Sequence, residues 1–211
     1  MSIKIEKVEV MNLDGALRGL RNPLESWDKS DSGWILDGYS GSDNYSFGIG
    51  EKDLILANRL ANAGNDHGKF LRQIFVCFDV TAPLYWYKEF DTYKVGTVAN
   101  STSTMHKLGS RDLTYDDFSW DVITQFEVDY IKHINNTIAI WRNDKTEPHF
   151  RQMIQQLLDS YNQTRTITLD YAVLRNQYKS RKDHKLKEWR EYCKWIEGLP
   201  YAKELIIGKE N

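Results

Sequence analysis

Apolar and polar residues alternate from the start of the chain. Ile3, Ile5, Val8 and Val10 sit among Lys and Glu at the period of a strand. The pattern breaks at Asn12-Leu13-Asp14-Gly15, where Asp14 is placed to cap a short helix, GALRGLRNPL, ending near Pro23. Residues 28–50 lose periodicity. They hold five glycines and many Ser and Asp, and they carry Trp34, Tyr39, Tyr45 and Phe47. This predicts a long loop, either a lid or a subunit contact. A helical period returns over 51–63, with Leu54, Ile55, Ala57, Leu60 and Ala61 on one face and Gly64 as a stop. Residues 72–80, RQIFVCFDV, predict a strand buried on both faces. Pro83 then opens a helix over LYWYKEFDTYKVG, and 97–110 reads as a hydroxyl-rich turn. One long helix is expected over 114–141 from an Asp116-Asp117 cap, along Phe118, Val122, Phe126, Tyr130, Ile134 and Ile138. Another is expected over 147–159. Thr164 to Leu169 alternate as a strand, and about 170–196 is helical through Leu174, Tyr178, Leu186, Trp189, Cys193 and Ile196. With no repeats and no low-complexity tails, the pattern predicts one α+β domain over 1–211.

Composition narrows the classes. Over 211 residues, 28 Lys and Arg nearly cancel 30 Asp and Glu, for a net charge of −2. That argues against a surface built wholly for nucleic acid or anionic lipid, though not against a local basic groove. No apolar stretch approaches the roughly 20 residues of a membrane span. The opening MSIKIEKVEVMNL has neither the basic nor the apolar region of a secretory signal. Cys77 and Cys193 lie in apolar and helical runs, as buried free thiols of a reducing compartment would. A cytoplasmic protein is expected.

Aromatic content is high, at 13%. Tyr85, Trp86, Tyr87, Phe90 and Tyr93 crowd one expected helix, and Thr97 and Asn100 to Thr104 follow. The segment is either a core helix with a polar loop, or an aromatic wall beside a hydrogen-bonding shelf for a flat heterocycle carrying phosphate. A basic run holds Arg175, Lys179, Arg181, Lys182, Lys185, Lys187 and Arg190 against only Asp183 and Glu188. It is either a solvated face or a phosphate-facing surface. There is no Walker loop, GxGxxG, HExxH or GxSxG, and His67, His106, His133, His149 and His184 are scattered without a metal-binding pair.

The strand–Pro–helix block FDVTAPLYWYKEFDTYKVGTVANSTSTM resembles the signature region of the flavin-dependent thymidylate synthases, the ThyX family, where RHR-x-x-S-x-N-x-x-S-x-R follows a strand. Upstream, VMNLDGALRGLRNPLESW and LANRLANAGNDHGKFLRQIFVCF resemble the family's first strand–helix and the passage before that strand. Downstream, LLDSYNQTRTITLDYAVLRNQYKSRKDHKLKEW resembles the block containing N-x-R and x-L-R. The resemblance spans most of the chain in the family's order, but the motif departs from the pattern. Thr92, Tyr93 and Lys94 stand at the RHR positions and Thr97 at the next serine. Asn100 and Ser103 keep the N-x-x-S spacing after a one-residue slip, Thr104 or Met105 replaces the closing arginine, and Leu71 or Arg72 replaces a glutamate. The flavin-gripping N-x-R reads Asp170-Tyr171-Ala172, whereas Asn176 and Arg181 match a flavin-binding Asn and a uracil-polarising Arg.

The resemblance implies a ThyX-like α+β fold with a mixed or antiparallel sheet, a homotetramer, FAD, and NADPH and methylenetetrahydrofolate as co-substrates. It implies nucleotide binding by Glu89, Thr92, Asn100, Ser101, Thr102, Ser103 and Thr104, flavin binding by Tyr93, Lys94, Asp170 and Asn176, and catalysis by Arg181. Charge-assisted hydrogen bonds contribute about 1.5–3 kcal/mol each. Loss of two or three guanidiniums should therefore weaken phosphate binding severely unless Arg175, Lys179 or Lys94 substitutes. Three readings stay open: a flavin enzyme acting on a pyrimidine nucleotide, a non-catalytic nucleotide-binding or interaction protein of the same fold, and a nucleic-acid binder acting through 175–190.

Overall fold

The computed structural model describes residues 3–36 and 45–208 and is α+β, as expected. Among those residues the strands are β1 (Lys4–Met11), β2 (Gly33–Leu36), β3 (Tyr45–Gly48), β4 (Phe75–Pro83), β5 (Thr97–Ser101) and β6 (Asn162–Asp170). The helices are α1 (Leu13–Arg21), α2 (Glu51–Asn62), α3 (Leu84–Phe90), α4 (Thr104–Lys107), α5 (Gln125–Asp144), α6 (Glu147–Gln155), α7 (Tyr171–Arg181) and α8 (Lys187–Glu197). One sheet has the order β1-β4-β6-β5. The antiparallel hairpin β2–β3 forms the other. The chain divides into two compact units: Met1–Lys7 with Phe78–Thr92 and Ala99–Ile167, and Val8–Cys77 with Tyr93–Val98 and Thr168–Asn211.

In the first unit, Trp86, Tyr87 and Phe90 of α3 are buried, with the Trp86 and Phe90 rings stacked at 4.9 Å. The helix stops at Phe90, short of the expected Gly96. Tyr87 donates its hydroxyl to the carbonyls of Val80 (2.8 Å) and Gln163 (3.0 Å), so the polar tip of a buried ring is satisfied. A second cluster joins Tyr130, Ile134 and Ile138 of α5 to Met153 of α6, with Leu108, Leu113 and Phe118.

The helix expected over 114–141 begins instead at Gln125, where Thr124 and Glu127 form a capping box. Asp117 belongs to a separate short turn capped by Thr114, and Phe118 bridges to Tyr161. Val122 and Phe126 are exposed rather than inward-facing. The helix expected over 147–159 ends at Gln155. The hydroxyl-rich turn is a strand, β5, followed by a helix that Ser103 caps by accepting the His106 N–H (3.2 Å). In β4 the buried Val76, Phe78, Val80 and Ala82 alternate with half-buried Cys77, Asp79 and Thr81, so one face is covered fully and the other only in part.

In the second unit, α1 packs on α2 and on the turn Gly68–Gln73, while α7 packs on that turn, on α8 and on a π-helical turn over Lys203–Ile207. Asn12, not Asp14, holds the N-cap position of α1, in a left-handed conformation. The inward face of α2 is Asp53, Ala57 and Ala61, and Ile55 points outward. Asp31 explains the shift: its carboxylate accepts the backbone N–H groups of Lys52 (2.9 Å) and Asp53 (3.1 Å), fixing how α2 enters. Residues 28–50 are not a plain loop, because they contain the hairpin. Tyr39 lies outside the described residues. The helical stretch 170–196 is broken between α7 and α8 at 182–186.

Candidate functional site

The expected nucleotide residues lie in the first unit, on the end of α3 and on β5 and the start of α4. Thr92 donates its hydroxyl to the Glu89 carbonyl (2.7 Å), closing the last turn of α3. Asn100, Ser101 and Thr102 are exposed, with the first two on β5 and Thr102 just beyond it. Ser103 and Thr104 are half-buried. Thr102 is anchored to β6 by its backbone N–H, which donates to the Thr164 carbonyl (2.9 Å), and by its own carbonyl, which accepts from the Gln163 amide (2.8 Å). Sequence reasoning missed the next link. Arg165 donates Nε to Gln163 Oε1 (3.0 Å), pairs with Asp91 at 2.7 Å and lies 3.7 Å over the Tyr87 ring. A continuous polar path thus runs from the β5–α4 corner to the end of α3 and includes one half-buried guanidinium. Seventy-four positions separate Arg165 from Asp91, so no local pattern could have revealed the pair.

The expected catalytic and flavin residues lie in the second unit. Arg181, at the C-terminus of α7, donates Nε to the Tyr93 hydroxyl (3.0 Å). Its guanidinium sits 4.9 Å from the Trp189 ring and 5.7 Å from that of Tyr93. A planar cation held by a hydrogen bond and two aromatic faces has a set direction. Lys94 is exposed, and so is Asn176 on α7. Asp170 is buried. It caps α7 by accepting the Val173 N–H (2.9 Å), and burial raises its pKa against the pull of the Val173 and Ala172 amides and Arg72. Gly96 lies directly against it at φ +79°, where a Cβ would meet Asp170 Oδ2 at 2.7 Å.

Two alternatives left open by the sequence are decided by burial and hydrogen bonding. The aromatic helix is core: Trp86, Tyr87 and Phe90 are at most 1% exposed, and Tyr93 lies outside the helix. Arg175 is not poised for phosphate, because it donates to the carbonyls of Leu205 (2.9 Å) and Ile206 (3.4 Å) and to Asn62 (2.7 Å). Burial lowers its pKa, and burial together with Arg175 lowers that of Lys179. Arg190 donates to the carbonyls of His184 and Lys185, so Arg175 and Arg190 of the basic run serve the fold. Cys193 is a buried free thiol pushed up to about 12, and Cys77 is half-buried. Among the described residues no cluster could hold a metal ion, and no helix is long and apolar enough to cross a membrane.

No protein-family model matches the sequence, and no curated protein matches it. Solved structures do. A thymidylate synthase X (ThyX) from Helicobacter pylori with FAD and dUMP superposes with a TM-score of 0.73 at 16% identity, covering 98% of each chain. A second structure, of flavin-dependent thymidylate synthase ThyX from Helicobacter pylori complexed with FAD and dUMP, gives 0.72 at 16% identity, again over 98% of each chain. The chain therefore has a ThyX-like fold over 98% of its length.

Proposed function

We propose that the chain is a cytoplasmic, homotetrameric flavoprotein that transfers a one-carbon unit to a pyrimidine nucleotide, dUMP or a relative. FAD is its cofactor, and NADPH and methylenetetrahydrofolate are co-substrates. The observation that carries this reading is the full-length match to folds solved with FAD and dUMP. The second unit supplies supporting chemistry. Lys94 and Asn176 are exposed donors suited to the phosphates and ring oxygens of a flavin nucleotide, and Tyr93 offers a ring face. Asp170 acts from behind, fixing the start of α7 rather than gripping the cofactor with a free carboxylate. FAD, when bound, supplies hydride transfer. Arg181 supplies a set positive charge for a pyrimidine ring that gains negative charge on losing its N3 proton, which is electrostatic stabilisation of a developing anion. In the first unit, Asn100 to Thr104 offer neutral donors to sugar, base and phosphate, Glu89 a carboxylate that can accept from sugar or base, and Thr92, whose hydroxyl donates to the Glu89 carbonyl, an accepting oxygen.

The test is a visible spectrum of the purified protein with a titration of FAD. A flavin spectrum or saturable FAD binding is expected; a colourless protein that binds no FAD would sink the catalytic reading. A thymidine-requiring strain should then grow when it carries the gene. A second reading, a non-catalytic nucleotide-binding or interaction protein, is favoured by a separate observation. At the RHR positions Thr92 closes a helix end and Tyr93 is engaged by Arg181, leaving Lys94 as the cation retained there. That reading expects nucleotide binding without flavin and no growth rescue.

A further inference from the structure

A cleft of about 590 Å3 in the second unit carries none of the residues assigned above. Trp34 and Phe47, partners across the β2–β3 hairpin, contribute two of its walls and meet edge to face, with centroids 5.6 Å apart and planes at 72°. Tyr45 and Tyr201 add two more rings. Trp34 and Tyr45 are 62% and 60% exposed, a large apolar area to leave open unless it is used. The Tyr201 hydroxyl accepts the Ile49 N–H (2.8 Å), tying one wall to the base of the hairpin. Tyr201 (φ 55°) and Asn12 (φ 65°) both line the cleft in the left-handed region, which a bulky aromatic rarely adopts. Such strain persists where the surroundings over-determine it and clusters at ligand sites. Among the described lining residues, Asp14 is the sole charged side chain.

We propose that this cleft binds a methylated ammonium group. Aromatic faces carry negative potential that attracts cations, and Asp14 supplies the counter-charge. Walls near a right angle enclose a rounded trimethylammonium, whereas a flat heterocycle needs parallel faces. An anionic nucleotide is disfavoured by the sign of Asp14, the one charge among the described lining residues. The same chemistry comes from a free choline-like molecule or from a trimethylated lysine side chain, and the experiment separates them.

Full-length protein is titrated calorimetrically with choline, with N-acetyl-trimethyllysine amide, and with dimethylbutanol, the uncharged carbon isostere of choline. Saturable binding of at least one cation is expected, with the isostere weaker by about tenfold or more. Tighter binding of choline identifies the small-molecule source, and tighter binding of the lysine derivative identifies the protein source. Trp34→Ala and Asp14→Asn should each weaken the preferred cation by about tenfold. Circular dichroism confirms that each variant is folded, and either one suffices if the other is not. Absence of saturable cation binding, equal binding of the isostere, or native affinity in a folded variant would overturn the proposal.

Discussion

Asp53 is fully buried at the start of α2, and burial alone would push its carboxyl upward. Hydrogen bonds from Ser30 Oγ (2.5 Å), Ser32 Oγ (2.6 Å) and Arg21 Nε (2.6 Å) outweigh burial and leave its pKa lowered. A carboxyl that is more acidic in the folded chain stabilises the fold above its unfolded value, and that contribution is lost as pH falls through the folded one. Asp53→Asn should therefore melt below the native protein at about pH 7 and lose less on going to about pH 3. Melting curves across that range check this; parallel losses would refute it. Arg21→Ala leaves the buried carboxylate without its cation and should cost about 3–5 kcal/mol, read from the urea midpoint. At Cys193 the thiol is pushed up to about 12, first by burial and then by the charges of Glu197 and Asp183. Thiolates, not thiols, are alkylated, so iodoacetamide on the folded protein should label Cys77 well before Cys193. Peptide mass spectrometry reads the order, and equal labelling would contradict the burial assigned to Cys193.

At the scale of elements, caps decided most of what the residue pattern left open. Asp170→Ala removes the α7 cap and should destabilise the protein by about 1 kcal/mol. Asp170→Asn keeps an accepting oxygen without a buried charge. Because the native carboxyl is raised by burial, its ionised form opposes folding near neutral pH, and the amide variant should melt at or above the native temperature there. A marked fall in Asp170→Asn would show that its charge is needed. Helical periods made α2, α7 and α8 legible, and alternation revealed β1 and β6, because those signals are local. The start of α5 was misplaced because Asp116-Asp117 offered a competing acidic cap seven to eight residues before the Thr124 of the working Thr124–Glu127 box. The hairpin was missed because Trp34, Ile35 and Leu36 are consecutive apolar residues, all exposed, so neither strand nor helix periodicity registers. The ring-rich 85–93 segment could not be sorted into core or site by spacing. The contacts of Tyr87 with Val80 and Gln163, seventy-six positions away in the latter case, sort it. Arg181 was legible through the resemblance, but its partners Tyr93 and Trp189 were not joined to it by any pattern in the sequence.

For the whole molecule, the near-zero net charge and the arginines turned to carbonyls and a tyrosine hydroxyl weigh against recognition of nucleic acid through 175–190. A thermal-shift series distinguishes the remaining readings. A ligand at a hundredfold its Kd stabilises by about 2.7 kcal/mol, and each kcal/mol raises the melting temperature of a chain this size by about 2–4 °C. FAD should thus raise it by about 5–10 °C, and dUMP added to the FAD complex should raise it further. Arg181→Ala should keep the FAD increment and lose the nucleotide increment, because the guanidinium is proposed to face the pyrimidine ring. Tyr93→Phe, which removes the acceptor that orients Arg181 but keeps the ring, should reduce the nucleotide increment without abolishing it. A rise with dUMP but none with FAD would replace the enzyme by a nucleotide-binding protein that has given up flavin chemistry. A rise with neither would leave the ThyX fold serving some other ligand. Loss of the FAD increment in Arg181→Ala would move that residue from the pyrimidine to the flavin. Each outcome changes a named assignment, and all are read on the same folded protein at the same pH and salt.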